Sequence, residues 1–116
     1  MASYPETDLA RVRRWVAARN DEMPFDARDQ VRIELDEEPR SVTIMECRPP
    51  FSEEYGPEWT RFPIARLRYT NARRVWELFW RDRNLKFHLY EDAKPTGNVE
   101  TLLEEIKQDR ICIFWG

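Results

Sequence analysis

His88 is the only histidine in the chain, and it stands in the run Lys86-Phe87-His88-Leu89-Tyr90, a short turn after Glu77-Leu78-Phe79-Trp80-Arg81. An imidazole changes charge near neutral pH, so with Glu77 or Tyr90 beside it His88 could carry a proton in a small hydrolase-like site. The same stretch offers a second chemistry. Arg81 and Lys86, with Arg66 and Arg68 just upstream, interleave with Phe79 and Tyr90, and cations set among aromatic rings bind anions and stack flat ring systems. A second cluster is Asp29, Glu46 and Arg48, two acids and a guanidinium at the end of a strand pattern. Cys47 and Cys112 lack CxxC spacing and read as two reduced, mostly buried thiols.

Other templates fail on composition. Three glycines, Gly56, Gly97 and Gly116, cannot build a phosphate-cradling loop. One histidine and two separated cysteines do not make a zinc site, no serine sits in a G-x-S-x-G elbow, and nothing calls for a metal or a cofactor. Glu46-x-Arg48 resembles the acid-x-lysine element of restriction-type nucleases, with arginine in the lysine position. Asp36, the other acid such a site needs, falls on the opposite face, roughly 17 Å away at about 3.3 Å per residue. An ion pair closing the end of the core accounts for the cluster. The strand Lys86–Tyr90 has an RNA-recognition flavour but lacks that motif's glycines.

The whole chain of 116 residues, 1–116, fits one domain. Charged residues make up 35 % of it with signs nearly balanced at a net −3, which excludes a histone-like binder that relies on bulk positive charge. Five Trp, four Tyr and six Phe supply a heavy apolar payload for one core. No segment approaches the roughly 20 apolar residues of a bilayer span, and the N-terminal residues lack a signal peptide's apolar run. A cytoplasmic protein with no membrane partner is the expectation.

The elements that position these residues follow from periodicity. Ser3, Pro5 and Glu6 signal a helix start, with Leu9, Val12 and Val16 on one face and Trp15 beside them; Met23-Pro24 stops it. From Arg28 the period becomes two: Val31, Ile33 and Leu35 alternate with charged residues. Strands are predicted at 41–48, 61–70, 75–82 and 85–91, with a proline-bounded loop from Pro49 to Glu58. Asn98 caps a short helix with an apolar stripe of Val99, Leu102, Leu103 and Ile106. Ile111–Trp115 forms a further strand or a docked tail.

Pairing tests these assignments, because a one-residue slip turns every side chain to the other face. A turn at Ala72-Arg73 matches Tyr69 with Trp76, Leu67 with Leu78 and Ala65 with Trp80. A two-residue turn at Arg83-Asn84 matches Trp80 with Phe87 and Leu78 with Leu89, leaving Phe79 opposite His88 and Glu77 opposite Tyr90. A turn centred on Glu38-Pro39 matches Leu35 with Val42 and Ile33 with Ile44, and sets Glu46 opposite Val31 and Arg48 opposite Asp29. The result is an α+β fold: an antiparallel meander of five or six strands with an N-terminal helix and a short C-terminal helix on one face.

The strings Trp76–Trp80, Asp82–Tyr90 and Phe114-Trp115-Gly116, with Glu46–Pro50 and Ile64–Tyr69, resemble a family of short bacterial proteins, domain of unknown function 3024. The resemblance covers most of the chain and departs at Asp109-Arg110, where the family pattern leads to an expected Asp-Pro. It implies a bacterial, cytoplasmic, stand-alone domain and brings no activity, ligand or catalytic residue.

These residues lead to a non-enzymatic binding module. Its basic-aromatic sheet face, comprising Arg66, Arg68, Glu77, Phe79, Arg81, Lys86, His88 and Tyr90, would contact an anionic or aromatic ligand, a nucleic acid or a protein partner. One alternative is a hydrolase or nuclease-like enzyme using His88 with Glu77 or Tyr90, or the Asp29, Glu46 and Arg48 cluster. Another is a homodimer with that face as its interface.

Overall fold

A computed structural model describes residues 3–50, 54 and 56–115. Period-two alternation yields five strands: β1 (Arg32–Glu37), β2 (Ser41–Arg48), β3 (Thr60–Thr70), β4 (Val75–Arg81) and β5 (Phe87–Leu89). They form one antiparallel sheet in the order β1-β2-β3-β4-β5. Helices α1 (Glu6–Asp21) and α2 (Val99–Gln108) cover one face of it. The α+β meander expected from the sequence is therefore the fold. The proline-bounded loop expected from Pro49 to Glu58 falls in part on residues 51–53 and 55, outside the described residues.

The core lies between that sheet face and the helices. Val12 and Val16 of α1 and all four stripe residues of α2 meet Ile44, Leu67, Trp76 and Leu78. Asn98 caps α2 as expected, its Oδ1 accepting from the Glu100 N–H at 3.1 Å. Ser3 does not cap α1. Pro5 holds that position, and the Ser3 hydroxyl donates to the Pro39 carbonyl at 3.0 Å, stapling the N-terminal residues to the first hairpin. Periodicity also misses Asp8, which is buried on the helix face and accepts from the Trp76 indole N–H at 2.9 Å and from Arg11 at 2.8 Å. A buried carboxylate persists because both partners meet it.

Ile111–Trp115 is a docked tail. Asp109 adopts the left-handed conformation at the end of α2, and its carboxylate accepts from the N–H groups of Ile113, Phe114 and Trp115 at 2.8–3.0 Å. The chain turns around that carboxylate and buries Phe114 edge-on to Tyr90, ring centroids 5.2 Å apart. No proline is needed after Asp109 to make this turn.

The hairpin joining β3 and β4 has the expected register, Tyr69 with Trp76, Leu67 with Leu78 and Ala65 with Trp80. The other two differ. In the first hairpin Leu35 pairs with Ile44 and Ile33 with Glu46, two positions from expectation. The turn runs from Glu38 to Ser41, closed by the Glu38 N–H on the Ser41 carbonyl, so Pro39 occupies the second turn position, where its fixed φ fits. In the last hairpin Phe79 pairs with Leu89, Trp80 with His88 and Arg81 with Phe87, a slip of one. The loop has three residues: the Leu85 N–H bonds Asp82, Leu85 takes a left-handed φ of 65°, and the Asp82 N–H reaches the Lys86 carbonyl. The Asp82 carboxylate fixes this turn by accepting from the N–H groups of Asn84 and Lys86 at 2.8 and 3.0 Å.

Candidate functional site

That one-residue slip rebuilds the sheet face turned away from the helices. A row now crosses all five strands there: Asp36, Thr43, Arg66, Phe79 and Leu89. Arg81 and Phe87 form the next pair on one side, Arg68 and Glu77 the pair on the other. The Arg66 guanidinium lies 4.1 Å from the Phe87 ring centroid and its Nε donates to the Thr43 hydroxyl at 3.1 Å. Arg81 packs over Phe62 at 5.1 Å and spends donors on the carbonyls of Pro63 and Asp82. Arg68 is exposed and makes no ion pair or side-chain hydrogen bond among the described residues. The cross-strand pair of Arg68 with Glu77 stops at register, since Glu77 accepts from the Thr70 hydroxyl at 3.4 Å. Lys86, expected beside Arg81 on this face, instead stands opposite Asp82 at the turn, where it is exposed.

His88 and Tyr90 leave this face. His88 stacks on Trp80 with ring centroids 4.8 Å apart, and Tyr90 is buried against Phe114. His88 Nε2 lies 2.7 Å from Asp82 Oδ2. The imidazole beside it, with the Lys86 and Asn84 N–H groups, holds the Asp82 carboxyl down at about 2, so the carboxylate accepts and Nε2 carries the proton. Burial, reinforced by the Glu105 and Asp92 carboxylates, pushes the Tyr90 phenol up. Glu77 therefore sits on one side of the sheet and His88 and Tyr90 on the other, so the expected pairing of His88 with Glu77 comes apart. His88 and Tyr90 both border a cleft of about 420 Å³ with Trp80, Asp92 and Ile113. Phe87 and Leu89 replace His88 and Tyr90 on the outer face. The sequence signal for that exchange was Asp82, whose carboxylate selects the longer turn.

A family model described as Domain of unknown function (DUF3024) matches residues 2–116. The chain belongs to this family. No curated protein and no solved structure matches it. The family description assigns no function to the site.

The second cluster also comes apart. In this DUF3024 domain Arg48 Nη2 lies 3.2 Å from Glu46 Oε1, an ion pair at the end of the sheet, while Glu46 pairs with Ile33 instead of Val31. Asp29 precedes β1 and makes no ion pair among the described residues. Glu46 borders a cavity of about 360 Å³ between the ends of both helices, lined mainly by Met23, Val31, Ile33 and Trp115 with Arg19 and Lys107 at its edge. Among the described residues no three of His, Cys, Asp and Glu converge on a metal-sized site, and no helix is long and apolar enough to cross a membrane.

Of the two free cysteines, only Cys112 differs from expectation. Cys47 is buried, and burial followed by the Glu34 charge pushes its thiol up; Cys112 is exposed, with a left-handed φ of 54°.

Proposed function

We propose that this DUF3024 domain is a binding module whose outer sheet face takes an anionic ligand carrying a flat ring. The observation that carries the reading is the state of Arg66 and Arg68. Neither guanidinium has a carboxylate within 4.0 Å among the described residues, yet Arg66 is held flat on Phe87 and tied to Thr43. A guanidinium parked on an aromatic ring is pre-oriented: its outer plane is free to stack and its remaining N–H groups are free to donate to an anion. Phe79 lies beside it in the same row, with Leu89, 42 % exposed, at the sheet edge. Stacking on such a platform is worth roughly 1–3 kcal/mol per ring and tolerates different rings. The face suits a nucleotide or a single-stranded oligonucleotide better than a purely apolar partner.

The test is binding of a fluorescent single-stranded oligonucleotide by anisotropy over a salt series. The native domain is expected to bind with an affinity that falls as salt rises, because neutralised phosphates release counterions. Arg66→Glu with Arg68→Glu abolishes the signal while leaving far-UV circular dichroism and the melting midpoint near native. An unchanged isotherm in the double variant overturns the reading.

A further inference from the structure

Arg68 also belongs to a second feature. The turn between β1 and β2 and the turn between β3 and β4 lie at the same end of the sheet, and between them is a cleft of about 290 Å³. Arg40 and Arg68 line it, with Ser3, Thr70 and Asn71. They are its only charged lining residues. Neither arginine has a carboxylate within 4.0 Å or a side-chain hydrogen-bond acceptor among the described residues, in a chain whose net charge is −3.

The frame that holds them is rigid. The Arg40 carbonyl accepts from the Tyr69 N–H at 2.8 Å, tying Arg40 to the residue that follows Arg68. The Pro39 carbonyl accepts from both the N–H and the hydroxyl of Ser3, at 2.8 and 3.0 Å. Two guanidinium groups of like charge line one cleft, carried by backbone segments that are tied together at Arg40 and Tyr69. Such an arrangement is unfavourable when empty and is relieved by an anion between them.

We propose that this cleft is an oxyanion site for a phosphomonoester, bound by Arg40 and Arg68. Charge selects the class. A phosphomonoester carries about −1.5 to −2 at neutral pH, matching two guanidinium groups, whereas a carboxylate or a phosphodiester carries only one charge. Shape agrees, because the guanidinium fork meets phosphate oxygens through paired N–H donors. Size agrees as well, since a cleft of about 290 Å³ has room for a phosphate group. Asn71 adds a neutral amide at the rim. The inference shares Arg68 with the sheet-face reading and deepens it by naming the anionic group. Arg40 lies off that face and separates the two.

The experiment is isothermal titration of the native domain and Arg40→Gln with inorganic phosphate and glycerol phosphate at fixed ionic strength. Anisotropy with 5′-phosphorylated and unphosphorylated forms of one single-stranded oligonucleotide is run in parallel. Native protein is expected to bind the small phosphates more tightly at pH 7.5 than at pH 5, as the second phosphate proton leaves near pH 6. Arg40→Gln loses about tenfold or more in affinity, the worth of one charge-assisted hydrogen-bonded contact. Preference for the phosphorylated oligonucleotide that disappears in Arg40→Gln assigns the source to a nucleic-acid end; equal binding of both forms with retained glycerol phosphate binding assigns it to a free small molecule. Either supports the site. No heat with either small phosphate, or affinities unaltered by Arg40→Gln, overturns it. The two readings fail apart. Loss of oligonucleotide binding on Arg66→Glu with no response to Arg40→Gln leaves the sheet face and removes the cleft. Phosphate binding lost in Arg40→Gln, with Arg66→Glu inert throughout, leaves the cleft and removes the face.

Discussion

The outer sheet face has two halves that use arginine in opposite ways. On β1, β2 and the start of β3, Arg32 pairs with Glu34, and Arg61 lies 3.8 Å from Glu34 and 3.9 Å from Asp36. Arg32 also stacks 4.2 Å from Trp59. Beneath this layer Met45 and Cys47 are buried, although their pairing directs them away from the helices. On the end of β3, β4 and β5, Arg66 and Arg68 make no ion pair among the described residues, even with Glu77 opposite Arg68, and lie beside Phe79, Phe87 and Leu89. The first half closes a small second core with its own charges. The second leaves charge and ring surface uncommitted. Folding accounts for the first, and the proposed binding role rests on the second.

If the first half is closed, its thiol should show it most strongly. Cys47 is expected to react with a thiol reagent on the order of a thousandfold more slowly than exposed Cys112, because labelling must wait for the sheet to open. Competition between the single variants Cys47→Ser and Cys112→Ser measures the ratio. Rates within tenfold of each other would erase the distinction between the halves. Next in size is Met45→Ala, which empties the space under the arginine layer and should cost about 2–5 kcal/mol in urea unfolding. A loss below 1 kcal/mol would mean that nothing is packed there.

How much of this contrast the sequence reveals depends on which interaction sets each register. The β3–β4 pairing is legible because Tyr69, Leu67 and Ala65 must meet Trp76, Leu78 and Trp80 on the buried side, and hydrophobic burial alone fixes it. The β2 strand and α2, with Asn98 and its stripe, are legible for the same reason. The β4–β5 register is not, since Phe87 and His88 are both aromatic and either could face the core. A side-chain-to-backbone bond decides it: Asp82 favours a three-residue loop and forces Leu85 to positive φ, a conformation that glycine would have announced. Arg66, Arg68, Glu77, Phe79 and Arg81 were thus placeable from sequence, while His88 and Tyr90 changed sides with that single residue. In the first hairpin the preference of Pro39 for the second turn position carried the missing information. The pairing of Arg32 and Arg61 with Glu34 and Asp36 needed the β-bulge between β2 and β3, which periodicity does not encode.

The uncommitted half depends on Asp82 for its geometry, and pH probes that dependence. The Asp82 carboxyl is held at about 2, below the ordinary 3.8, chiefly by His88 and then by the Lys86 and Asn84 N–H groups. A depressed carboxyl stabilises the fold in full above its unfolded pKa and loses that contribution as pH falls through the folded one. Stability from this turn is therefore complete at pH 5 and disappears between about pH 4 and pH 2. Asp82→Asn should be less stable than native protein at pH 6 and converge on it near pH 2, as read by urea midpoints. Parallel acid limbs for the two proteins would sink the assignment.

The smallest effect is the most direct comparison of the halves. Arg61 and Arg68 stand towards opposite ends of one strand and both are exposed, so truncating each removes similar surface. Arg61→Ala breaks two contacts to carboxylates and should cost about 0.2–1 kcal/mol, the range of exposed ion pairs, with the loss shrinking at high salt. Arg68→Ala breaks none among the described residues and relieves like charge against Arg40, so it should fall within about 0.5 kcal/mol of native and lean towards stabilising. Salt should move the two in opposite directions, weakening the effect of Arg61→Ala by screening attraction and that of Arg68→Ala by screening repulsion. A clear destabilisation by Arg68→Ala would place that arginine among the groups that hold the fold, and the two halves of the face would then differ only in their partners.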